Sequence, residues 1–80
     1  PEITLFPNPA NDFINLDFNN ENYQNLQISI INNLGQTIDN QIINNHNNIQ
    51  RINLPNLPNG IYFCRIQTEK GVSTKSFIIR

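Results

Sequence analysis

Apolar and polar residues alternate along most of this chain, and Pro, Asn or Gly interrupts the alternation at short intervals. Between residues 12 and 18, Ile14, Leu16 and Phe18 share one parity, against Asn15 and Asp17 on the other. A period of two puts successive side chains on opposite faces of an extended strand, so this stretch predicts a half-buried strand. Residues 26–32 repeat the pattern with Leu26, Ile28 and Ile30 against Gln27 and Ser29, and Ile31 steps out of it toward the second face. The same reasoning predicts strands over 3–6, 36–43, 49–54, 61–68 and 72–79. The breaks between them are turn chemistry. Pro7-Asn8-Pro9 excludes helix and ladder pairing and carries the chain through a corner. Asn33-Leu34-Gly35-Gln36 reads as a hairpin turn with Gly35 at positive φ. Residues 44–48, Asn-Asn-His-Asn-Asn, form the most polar loop and the expected mobile tip. Glu69-Lys70-Gly71 closes a final tight hairpin.

The stretch 57–66 is the best defined. Pro58 belongs to a turn, and Asn59-Gly60 tolerates the positive φ of a sharp reversal. The following residues contain two aromatics and two isoleucines with no breaker. Tyr62, Cys64 and Ile66 fall on one face; Ile61, Phe63, Arg65 and Gln67 fall on the other. The expectation is a central strand, buried on the Tyr62 face and partly covered on the Phe63 face.

Composition narrows the fold class. Fourteen isoleucines favour strands, while a single alanine and no methionine disfavour helices. Seventeen asparagines suit turns and caps, and they punctuate apolar alternation, which argues for a folded all-β domain over a disordered polar chain. Eighty residues make one small domain whose single cysteine can form no internal disulfide. Seven short strands with turns at this spacing predict a seven-stranded antiparallel immunoglobulin-like β-sandwich. In that fold a tyrosine at the start of the next-to-last strand bonds back to upstream backbone. Tyr62 occupies that place, and Cys64, two residues later, is expected to be inert core.

The net charge of −1 and the lack of a basic patch exclude a nucleic-acid surface. No apolar run reaches the roughly 20 residues of a transmembrane helix. Catalysis has little to draw on, and no catalytic, cofactor-binding or metal-binding residue is predicted. His46 is expected to be a solvated loop residue, unable to pair with a core Cys64. The acids stand singly, and Asp17 with Glu21 offers at most a weak calcium site. No glycine-rich phosphate loop is present. Lys70, Lys75 and Arg80 gather three of the five basic side chains into the last eleven residues. Physics alone allows two readings of this end: an edge strand protected by charge, or a recognition strand.

Several of these features match one family. Leu5-Phe6-Pro7-Asn8-Pro9-Ala10 before an alternating strand, Leu34-Gly35-Gln36, the Leu57-x-x-Gly60-Ile61-Tyr62-Phe63 corner and a basic-then-apolar last strand ending at Arg80 resemble the type A C-terminal sorting domain of the type IX secretion system. The resemblance spans nearly the whole chain. It implies that residues 1–80 are the last domain of a larger secreted precursor in Bacteroidetes-type bacteria, with the cargo domain on the N-terminal side. It also implies a route through the periplasm, recognition of the folded domain by the outer-membrane translocon, and removal by a sortase-like peptidase. The cargo would then be secreted or held at the cell surface. The family's recurrent motifs fall on Pro7, Asn8 and Pro9, on Gly60 and Tyr62, and on the basic C-terminal strand. Arg80 stands where lysine is common and Cys64 where valine is frequent, which preserves charge and burial respectively. The candidate translocon-recognition residues are Lys75, Phe77, Ile78, Ile79 and Arg80; Pro7, Asn8, Pro9, Gly35, Gly60 and Tyr62 are expected to be structural. An immunoglobulin-like module for carbohydrate or adhesion, or a spacer beside an extracellular enzyme, is the alternative. Tyr23 is the one loop aromatic that would serve the binding role.

Overall fold

The computed structural model describes residues 2–80 and consists of strands and turns without a helix among them. The strands are β1 (Thr4–Phe6), β2 (Phe13–Asp17), β3 (Leu26–Asn32), β4 (Thr37–Ile43), β5 (Ile49–Asn53), β6 (Gly60–Thr68) and β7 (Gly71–Ile79). They form two antiparallel sheets, ordered β1-β2-β5 and β4-β3-β6-β7, packed as a sandwich. The seven expected strands are therefore present, with no boundary moved by more than one residue. β4 lies beside β3, on the sheet opposite β2 and β5. Constant-type immunoglobulin domains keep the fourth strand on the other sheet.

Each sheet turns its apolar parity inward. Ile14, Leu16 and Ile52 come from the three-stranded sheet; Leu26, Ile28, Ile30, Cys64, Ile66, Phe77 and Ile79 come from the four-stranded one. Burying one such aliphatic side chain contributes about 1.5–3 kcal/mol, and a domain this small needs nearly all of them. No polar or charged residue is buried among those described. The odd parity of Ile31 has a simple outcome. A bulge between Ile30 and Ile31 sets Ile30 opposite Asp39 and Ile31 opposite Thr37, so Ile38 is the extra residue on β4 and packs against the core.

Asparagine builds the connections. Asn19, Asn20 and Asn45 take φ of 53°, 63° and 57°, a region that few other side-chain-bearing residues adopt readily. The Asn32 side chain accepts from the Leu34 and Gln36 amides, each at 2.9 Å, while Gly35 turns the chain at φ 83°. Gly60 has φ 159°, close to extended, and already opens β6, so the reversal is made upstream of it.

β6 pairs with β3 on one side and β7 on the other. Its Tyr62 hydroxyl donates to the Pro58 carbonyl at 2.6 Å, the expected tyrosine corner. Tyr62 also packs on Phe77, ring centroids 6.0 Å apart. Cys64 is fully buried, and burial pushes its thiol up to about 12. At the other end of the sandwich the Glu69 carboxylate accepts from the Gln24 amide at 3.0 and 3.1 Å, which ties the β6–β7 turn to the β2–β3 loop. Backbone donors, its own amide first and Gln24 next, hold this carboxyl below its ordinary range.

Three outcomes follow from this packing. Tyr62→Phe is expected to lower stability by about 1 kcal/mol in denaturant titration, the scale of one hydrogen bond. The same change at Tyr23, whose hydroxyl bonds to no other described residue, should cost less. Cys64 should resist a thiol reagent until the domain unfolds; fast labelling of the native state would mean that the faces of β6 are reversed. Because the Glu69 carboxyl titrates lower when folded than when unfolded, its clamp stabilises at pH above the ordinary glutamate range. That contribution disappears as the pH falls through the folded value. Glu69→Gln should therefore lower the melting temperature at neutral pH and flatten its acid-side decline.

Candidate functional site: the C-terminal strand and its edge

β7 is one of the two outer strands of the four-stranded sheet, with β4 the other, and its alternation divides the candidate residues. Phe77 and Ile79 point inward and are buried. Ile78 and Arg80 take the other parity and are exposed. Lys75 shares the inward parity, opposite Cys64, and is half-buried at the open margin of the sandwich. A charge turned inward on an edge strand opposes pairing with a foreign strand. The five residues are thus one strand but two populations, with Lys75, Ile78 and Arg80 accessible and Phe77 and Ile79 in the core.

The terminal part of this edge is capped from the far end of the chain. The Ile78 amide donates to Asn8 Oδ1 at 2.9 Å, the Ala10 amide to the Ile78 carbonyl at 2.7 Å, and the Arg80 amide to the Ala10 carbonyl at 3.0 Å. Ala10 lies parallel to Ile79 and is itself buried. The Pro7–Pro9 corner, whose two X–Pro bonds are cis, therefore leaves β1 on one sheet and docks on the edge of the other. The acceptor that Ile78 finds on this corner is thus a side-chain oxygen and not a backbone carbonyl. Antiparallel alternation turns the backbone groups of Ile78 outward, and with them those of Val72, Thr74 and Ser76. These three sit beyond the cap. The corner expected at Pro7–Pro9 is present, and Asn8 adds to it a contact with a residue 70 positions along that the local sequence does not announce.

The basic side chains differ in what holds them. Lys70 pairs with Glu21 at 3.3 Å. Arg51 lies over the Phe13 ring, 3.9 Å from its centroid, and donates to Asn53 Oδ1 at 2.9 Å. Arg65, Lys75 and Arg80 make no ion pair or side-chain hydrogen bond with the described residues.

The remaining candidates for chemistry are structural. His46 is half-buried against Phe18, ring centroids 4.3 Å apart. Its Nε2 accepts from the Tyr23 amide at 3.0 Å and its Nδ1 lies 2.7 Å from the Asn47 carbonyl, so this histidine pins two loops instead of standing free in solvent. Tyr23, expected on a loop surface, is buried edge-on against Phe18. The Asp17 carboxylate accepts from the Asn19 amide, and Glu21 holds Lys70. Among the described residues no three His, Cys, Asp or Glu side chains cluster as a metal site would need, and no helix is long and apolar enough to cross a membrane.

No curated protein matches the chain. The family model described as the secretion system C-terminal sorting domain matches residues 4–80. That family is a secretion signal and not a catalytic one, and membership implies a secreted or cell-surface cargo protein. The capped terminal strand, the Pro-Asn-Pro-Ala segment that caps it and the Gly-Ile-Tyr corner all lie within the matched residues: this chain belongs to the C-terminal sorting domains of type IX secretion.

Proposed function

We propose that residues 1–80 are the last domain of a larger precursor, and that the outer-membrane type IX translocon recognises them in the folded state. A sortase-like peptidase then cuts on the N-terminal side of the domain and frees the cargo or fixes it at the cell surface. The observation that carries this reading is the alternation of β7. Phe77 and Ile79 are core residues, so a receptor that bound 75–80 as a linear peptide would first have to take the sandwich apart. A receptor that reads the folded end of the strand meets Ile78, Arg80 and the Lys75 ammonium, with the backbone of Val72, Thr74 and Ser76 beside them. Strand addition at that open part of the edge is one mode of contact. The carbohydrate-binding alternative relied on an exposed Tyr23, which is buried.

Removing residues 77–80 would take out core and surface together, so the test separates the two. In a cargo fusion, Arg80→Glu with Lys75→Glu should leave the melting temperature near wild type, stop delivery to the medium or surface, and leave precursor in the periplasm. Phe77→Asp, which destroys the core, should block export as well. Wild-type export of the Phe77→Asp fusion would mean that the signal is linear.

A further inference from the structure

The outer face of the four-stranded sheet has an uneven charge. Its strand positions are Gln27, Ser29 and Ile31 on β3; Thr37, Asn40 and Ile42 on β4; Ile61, Phe63, Arg65 and Gln67 on β6; and Val72, Thr74, Ser76 and Ile78 on β7, with Arg80 continuing that parity. None of them is acidic, although the protein as a whole carries a net charge of −1. Glu69, in the turn beyond Gln67, has its carboxylate engaged by the Gln24 amide. The two cations, Arg65 and Arg80, are exposed and without a side-chain partner among the described residues. Four of the six apolar residues of the face, Ile31, Ile61, Phe63 and Ile78, lie at the end nearest Arg80, while Ile42 and Val72 lie at the other. Ile31 stands opposite Phe63, and Ile61, adjacent to Phe63 on the same parity, stands opposite Ile78. Ile61 and Ile78 are 54% and 37% exposed and adjoin across the β6–β7 pair, and contiguous exposed apolar residues mark interaction sites more often than ones scattered singly.

We propose that the Arg80 end of this face, with Ile61, Phe63 and Ile78 flanked by Arg65 and Arg80, docks on an apolar protein surface rimmed by carboxylates in the export machinery. The proposal rests on the reading of the domain as a folded export signal, and it adds a β6 face that the C-terminal residues alone do not define. Charge complementarity selects the occupant. A second copy of the chain, face to face, would bring arginine against arginine with no carboxylate between them. An anionic lipid surface calls for larger basic clusters, on the order of 4–8 side chains, and this face has two. A planar guanidinium presented beside apolar residues suits a partner's carboxylate, which it can bind through two parallel hydrogen bonds.

The test uses residues outside the C-terminal segment, in the full precursor and with two unrelated cargoes. Arg65→Glu combined with Ile61→Ser should keep the wild-type melting temperature, since both side chains are exposed, yet reduce export of both cargoes by at least about tenfold. Arg65→Lys, which keeps the charge, should retain much more export than Arg65→Glu, and Asn56→Glu, on an exposed loop, should export normally. Normal export of the double variant, with export still lost on Arg80→Glu and Lys75→Glu, would overturn the docking face and leave the folded signal intact. A defect with one cargo only would assign the face to the neighbouring cargo domain. Sedimentation of the purified precursor with phosphatidylglycerol vesicles, abolished by Arg65→Glu, would assign it to lipid. A wild-type dimer that dissociates on Arg65→Glu would assign it to a second copy. Each of these three results would overturn the proposal.

Discussion

The four-stranded sheet takes its register from β6. That strand is hydrogen-bonded on both sides, and its start is fixed by the Tyr62 hydroxyl on the Pro58 carbonyl. A slip of one residue would carry Cys64 and Ile66 to solvent and Arg65 into the core. It would also turn every residue of β7 over. The corner therefore determines which terminal side chains are buried and which are presented. In a domain with no disulfide and a small core, one well-placed hydrogen bond at a corner is a large share of what specifies the arrangement.

Under the proposed folded recognition, the same alternation explains why the signal would be a whole domain. β7 is at once a wall of the core and the margin of a sheet. Phe77 and Ile79 anchor it while Ile78 and Arg80 face out. A free sheet edge invites promiscuous pairing, and here it is restrained at two points: the Asn8–Ala10 segment closes its end, and Lys75 lies half-buried on the inward parity. What stays open is short and has defined neighbours, as a specific address requires and as a generally adhesive strand would not provide.

Much of this was legible from residue order. Alternation located the strands because each sheet has one wet face, so period two survives in the sequence. Tyr62, Cys64 and the turn at Gly35 behaved as their local chemistry predicts. The failures concern contacts between segments distant in sequence. His46 looked solvated because its neighbours are asparagines; its partners, Phe18 and Tyr23, are more than twenty residues away. Asn8 bonds to a residue 70 positions along, and nothing local to a corner announces that. Strand pattern alone could not say on which sheet β4 would lie, because both choices bury the same parity. Within the candidate site, charge drew attention to 75–80, but a strand contributes only alternate side chains to a surface. The uncommitted Arg65 sits on the neighbouring strand, where the terminal pattern gave no reason to look.

The proposed recognition requires the C-terminal residues to be part of the folded domain. Residue-resolved amide exchange on the intact precursor measures this directly. The amides of Phe77 and Ile79, paired to β6, and that of Ile78, held by Asn8, should be protected like those in the middle of β6, while the outward amides of Thr74 and Ser76 exchange fast. Exchange of residues 77–80 at the rate of unstructured chain, with β6 still protected, would show a detached peptide tail and contradict the account.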